Sequence, residues 1–149
     1  MLNNKKMKQI IKNSFTPLAS TNTISIALLV LRVAIGGMML THGLGKLTVL
    51  FGSDPIQFAD PLGIGLTASL ALAVFSEVFC SLFLILGVAT RFSALSLMVT
   101  MAIAAFIVHA NDDFGGKELA LLYLLIYIVI AVLGAGKYSV DTWLRKKMA

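Results

Sequence analysis

Four long apolar stretches, 24–47, 64–88, 92–110 and 119–135, alternate along the chain with short polar segments. Each is close to the ~20 residues that a helix needs to cross hydrocarbon at about 1.5 Å per residue. Pro17, Pro55 and Pro61 all fall outside the stretches, as uninterrupted helices require. Period-two alternation is absent, which argues against a membrane β-barrel, and no internal repeat stands out. The pattern predicts an all-α integral membrane protein, a four-transmembrane-helix bundle. Its membrane domain is expected over 24–136, between tails 1–23 and 137–149.

The connections are readable in outline. In the first tail, Met7, Ile10, Ile11 and Phe15 recur at helical spacing among lysines, the pattern of a short helix on an anionic membrane surface. The first long loop, "TVLFGSDPIQFADPLG", has two Asp-Pro steps that stop a helix. Leu50, Phe51, Ile56 and Phe58 are too apolar for a free loop, so it is expected to fold back on the bundle as a lid or re-entrant element. "GVATRFS" is tight enough to make the second and third spans antiparallel neighbours. In "HANDDFGGKE", Asn111 or Asp112 supplies a stop and Gly115-Gly116 a hinge before Glu118 opens the fourth span. Tyr138 and Trp143 are placed as interfacial anchors.

Composition agrees with the pattern. Of 149 residues, 58% are hydrophobic and 13% charged, about half the charged share of a soluble domain. The net charge of +5 reads as topology rather than nucleic-acid binding. Lys5, Lys6, Lys8, Lys12, Arg91, Lys137, Arg145, Lys146 and Lys147 fall on one side of the spans, against Lys46 and Lys117 on the other. The positive-inside rule therefore places both termini in the cytoplasm. Cys80, the single cysteine, lies in the second span and forms no disulfide or CxxC pair within the chain; it reads as a small core residue.

The informative anomaly is the first span, where "LRVAIGGMMLTHGLGKL" carries three basic groups. On a wheel of ~100° per residue, Arg32, Gly36, Met39, His42, Gly43 and Lys46 share about 120° of arc. Glycines let a second helix approach, and ionisable groups in a bilayer must face protein or water, so this face points inward. Arg32 lies fourteen residues before Lys46, and Glu77 fourteen after Gly63, so both are ~21 Å from the same edge. They are expected to form a buried pair, acting as a proton relay or, on the plainer reading, as a staple fixing helix register.

His42, Lys46 and His109 gather at the far ends of their spans, beside Asp112, Asp113 and Glu118. A bis-histidine haem b or a zinc site can be drawn there, but lone histidines at helix ends are more often interfacial, and no metal site is assigned. A quinone-type site needs less: a histidine or lysine donor, with aromatic walls drawn from Phe51, Phe58, Phe106, Tyr123 and Tyr127. His109 faces away from the Ser93, Ser96, Thr100, Ala104 stripe, so only a bend would bring both into one cavity.

At these residues the chain resembles the DoxX family of small four-helix bacterial membrane proteins. The resemblance rests on the order of "LRVAIGGMMLTHGLGKL", "SEVFCSLFLILGVATRFSAL" and "GGKELALLYLLIYIVIAVLGAGKYSVDTW", spanning roughly 29–143. The family pattern falls on Arg32, His42, Gly43, Lys46, Glu77, Gly87 and Arg91, and only loosely on His109. It implies the membrane subunit of a quinone-linked redox system in the bacterial cytoplasmic membrane. In that role a partner protein holds the electron carrier, and this chain supplies a quinone pocket or an anchor. A scaffold without a site, self-association, and a small-anion or proton-coupled transporter remain alternatives.

Overall fold

The computed structural model describes residues 5–6 and 20–148; the expected surface helix around Met7 to Phe15 lies outside them. Four apolar helices long enough to cross a membrane are present: α1 (Thr21–Phe51), α2 (Leu66–Leu86), α3 (Thr90–Val108) and α4 (Phe114–Leu133). A short fifth helix, α5 (Val140–Met148), follows. No strand occurs among the described residues. The expected all-helical, four-span architecture is observed.

The bounds move where local chemistry decides. Ser20 caps α1 by accepting from the Thr23 amide, and the helix then runs past Lys46 to Phe51, roughly 46 Å at 1.5 Å per residue. That exceeds the hydrocarbon thickness, so α1 must tilt or project. Asp113 caps α4 through the Gly116 amide. Gly115 and Gly116 therefore lie in the first turn of α4 instead of forming a hinge before it.

The helices form an up-down bundle in which α1 packs along α2, α2 against α3, and α3 along α4. Met39, Leu84, Leu97, Tyr127 and Ile130 fill its centre, while Val30, Leu95, Leu125 and Val132 face outward. An apolar exterior is what a lipid solvent permits, so close packing rather than hydrophobic expulsion must hold the helices together. Gly36 and Gly43 provide it. A Cβ on Gly43 would lie 2.8 Å from Val78 and 2.9 Å from Glu77; one on Gly36 would lie 2.7 Å from Ile85. Gly43→Ala is therefore expected to push α1 off α2 and cost about 2 kcal/mol, the scale of core overpacking, in detergent unfolding monitored by circular dichroism. Gly45→Ala, which meets no neighbouring atom, should be neutral or slightly stabilising.

The first loop does fold back. Ile56 and Phe58 pack with Leu50 against Leu70, Val74 and Val78, although Phe51 stays 80% exposed. Asp60 pins the return to α2: its carboxylate accepts from the amides of Ile64 and Gly65 and from the Ser69 hydroxyl. The Ser69 hydroxyl, then the Gly65 amide, hold this carboxyl below its ordinary value of 3.8. The anchoring is thus fully present above about pH 4 and lost as acidification passes the depressed value. Limited proteolysis of the loop should be flat from pH 7 to pH 4 and accelerate below; Asp60→Asn should remove that step.

Candidate functional site

Glu77 sits in a π-helical turn of α2, Phe75–Cys80. Ser76, Glu77 and Val78 are buried in succession, which a regular α-helix, spreading three residues over ~200°, does not favour. Thr100 and Ser96 of α3 donate to the Ser76 hydroxyl at 2.9 and 3.3 Å and tie the turn in place. This leaves Glu77 1% exposed and turned toward α1.

Its partner is Lys46, which forms the ion pair. The expected Arg32–Glu77 pair is not formed. Arg32 is wholly buried, but its guanidinium donates to the carbonyls of Tyr138 at 2.6 Å and Leu84 at 3.3 Å. Equal depth holds only if the far edge lies at Lys46 and Gly63, whereas α1 continues five residues beyond Lys46 and α2 begins only at Leu66. Packing sets the true register: Gly43 abuts Glu77, and Gly36 abuts Ser81 and Ile85. Arg32 consequently meets the Leu84–Gly87 end of α2, about two to three turns from the carboxylate.

Lys46 and Glu77 open into a cavity of about 260 Å³ that His42, His109, Met39 and Tyr123 also line. His42 and Lys46, one turn apart on α1, and His109, at the end of α3, thus line one cavity. Their meeting depends on a second π-helical turn, Ala104–Val108, closed by the His109 amide on the Ala104 carbonyl at 2.9 Å. The wider turn delays the residues after it by roughly one helical position, ~100°. That delay swings His109 from the back of the α3 stripe onto the side of Ala104, which lines the same cavity. This is the bend the sequence required. The His109 ring is held by Asp112 at 2.7 Å.

The aromatic wall is partly as expected. Tyr123 lines the cavity, meets the His42 ring edge-on at 6.1 Å and stacks on Tyr127 at 6.0 Å. The Phe58 ring lies 5.7 Å from the Lys46 ammonium. Phe51 and Phe106 point outward. Gly43 contributes closeness of packing rather than a wall. Among the described residues, Glu77 Oε2 and Tyr127 Oη are buried without a protein partner, as are Ser81 Oγ, Thr90 Oγ1 and Arg32 Nε away from this cavity. Burying such groups is costly unless water or a ligand supplies the missing bond. The cavity therefore combines two imidazoles, one ammonium and one carboxylate in a pocket a small polar ring would fill.

At the opposite end, a cluster that residue-by-residue reading missed surrounds Arg32. Asp141 accepts from the amides of Ala89 and Thr90 at 2.8 and 2.9 Å, and its own amide donates to the Gly87 carbonyl at 2.9 Å. It thereby caps α3 from the start of α5 and clamps the chain's end to the α2–α3 turn. Its carboxylate also acts electrostatically on Arg32. Gly87, at φ +72°, has no room for a side chain beside Arg32 and Ser139. The only sequence sign of this clamp was the "GAGKYSVDTW" segment.

Comparison with known proteins adds a family. The DoxX sequence profile matches residues 27–110. An uncharacterised protein of Haemophilus influenzae is 38% identical over 79 residues, 50% of this chain and 52% of that protein, so the chain spans about half of that relative's length. A second uncharacterised protein of the same organism is 36% identical over 124 residues, covering 78% of this chain and 90% of its own length. The protein named inner membrane protein YqjF of Escherichia coli is 29% identical over 126 residues, 82% of this chain and 95% of that protein. No solved structure matches.

Proposed function

The chain belongs to the DoxX family, and from that premise we propose that it is the membrane component of a quinone-linked redox system in the bacterial inner membrane. Both termini then face the cytoplasm, and a partner protein carries the electron-transfer centre. The name of the Escherichia coli relative supports the location. The nine-to-two distribution of basic residues supports the orientation.

One observation carries the functional reading: a buried carboxylate, paired to Lys46 yet with one oxygen unmatched, facing a cavity that also holds two histidines. A quinone, when reduced, takes up two electrons and two protons. The residues present suit such a head group. Lys46 and His42 offer donors to a carbonyl oxygen, Tyr123 offers a ring face, and Glu77 is the carboxylate of the wall that takes a proton from the water side and passes it to the reduced head group. His109 and Asp112, both reachable from the membrane surface, connect the cavity to bulk water. Arg32, held by carbonyls and remote from this cavity, serves as a register staple, so of the two residues expected to relay protons only Glu77 keeps that role.

The test is quinone binding by the purified chain in a Trp143→Phe background, read as saturable quenching of tyrosine fluorescence. Lys46→Gln should weaken binding by at least about tenfold, the worth of a hydrogen bond from a charged donor. Absence of saturable quenching, or an unchanged affinity in Lys46→Gln, would refute the reading.

A further inference from the structure

A larger cavity, about 520 Å³, opens at the end of the bundle where α1 begins and α4 passes into α5. Arg91, Lys137 and Arg145 line it. The one acidic residue in its wall, Asp141, is already committed to the amides of Ala89 and Thr90. Two of the three cations are held in place by neutral oxygens. Lys137 Nζ reaches Asn22 Oδ1 at 2.6 Å and Thr21 Oγ1 at 3.2 Å, and Arg91 lies across Gly134 toward the Val132 carbonyl at 3.5 Å. Neutral acceptors position a cation without cancelling its charge, so the cavity keeps a positive potential.

Below the cations the wall turns apolar, with Ile24, Leu28 and Leu133. Ile24 and Leu133 are also open to the outside of the bundle, so the cavity runs into the lipid-facing surface between α1 and α4. Its depth is that of the head groups. Tyr138 and Trp143 are exposed at this end, where amphipathic rings mark the interface. A basic rim over an apolar groove is the form of a lipid site rather than of a site for a free ion.

We propose that this cavity binds the phosphate of an anionic glycerophospholipid, with an acyl chain lying along the groove between α1 and α4. Arg91, Lys137 and Arg145 take the phosphate, and the Thr142 hydroxyl lies in the same wall. The bound lipid would bridge the first helix and the α4–α5 connection. This site is independent of the quinone reading, since it shares no residue with the far cavity.

The experiment is native mass spectrometry of the full chain in non-ionic detergent, titrated with phosphatidylglycerol, with phosphatidylcholine, and with inorganic phosphate as competitor. One phosphatidylglycerol should be retained in clear preference to phosphatidylcholine and should survive the phosphate. Lys137→Gln with Arg145→Gln should weaken retention about 25-fold, roughly fivefold for each cation removed near a head group. Lys146→Gln with Lys147→Gln removes the same charge outside the cavity and should stay near wild type. Equal retention of the two lipids, displacement by inorganic phosphate, or equal losses in the two double variants would overturn the proposal. The wild-type comparison stands whether or not either variant folds.

Discussion

Replacing Lys46 with methionine is expected to lower the unfolding free energy by about 3 kcal/mol, the low end of the cost of orphaning one member of a buried ion pair. The loss arises because Glu77, 2% exposed in its side chain, loses the group that offsets the desolvation of its carboxylate. The low end applies because the Lys46 side chain is 32% exposed and water already meets part of the ammonium's need. If the pair is the cause, removing both charges must help. Lys46→Met with Glu77→Leu should recover most of the stability, since an apolar pair of similar volume needs no compensation. Unfolding followed by circular dichroism in detergent measures both. A silent Lys46→Met, or a double variant worse than the single, would contradict the pairing.

Gly87→Ala should be at least as damaging, by about 3–5 kcal/mol, and folded protein is expected to be scarce. Two costs add. An alanine at φ +72° occupies a region that L side chains enter at roughly 1–2 kcal/mol. Its Cβ would also stand against the Arg32 guanidinium, and 2.6 Å from Ser139 Cβ, displacing a buried cation from the carbonyls of Leu84 and Tyr138. Losing hydrogen bonds to a charged group costs about 1.5–3 kcal/mol. Gly63→Ala separates the two, because Gly63 has a similar φ of +67° but open space around it. It should show the backbone cost alone. Equal effects at the two glycines would mean that the arginine contact adds nothing.

These predictions mark where sequence reasoning succeeded and where it failed. The spans were legible because lipid demands about twenty apolar residues with few charges, a requirement independent of tertiary detail. The inward face of α1 was legible for the same reason: Arg32, Gly36, Met39 and Gly43 are buried, and His42 and Lys46 line the cavity beside Glu77. The partner of Glu77 was not. Depth arithmetic depends on knowing where each helix ends, and Thr48 to Phe51 read as loop although they continue α1. The π-helical turns were also hidden. "FSEVFC" and "AAFIV" contain no proline or glycine, and a hydrogen-bond slip of one residue leaves no composition to read. Yet these turns present Glu77 to α1 and rotate His109 into the cavity. Asp141 was invisible as a helix cap because the helix it caps begins some fifty residues earlier in the chain.

The most direct test of the account is redox-triggered infrared difference spectroscopy on the chain loaded with a quinone. Reduction should perturb a carboxyl band that shifts in Lys46→Gln and vanishes in Glu77→Gln, because the proton passes through that side chain. Wild-type and Glu77→Gln spectra that coincide in the carboxyl region would show that the buried acid takes no part.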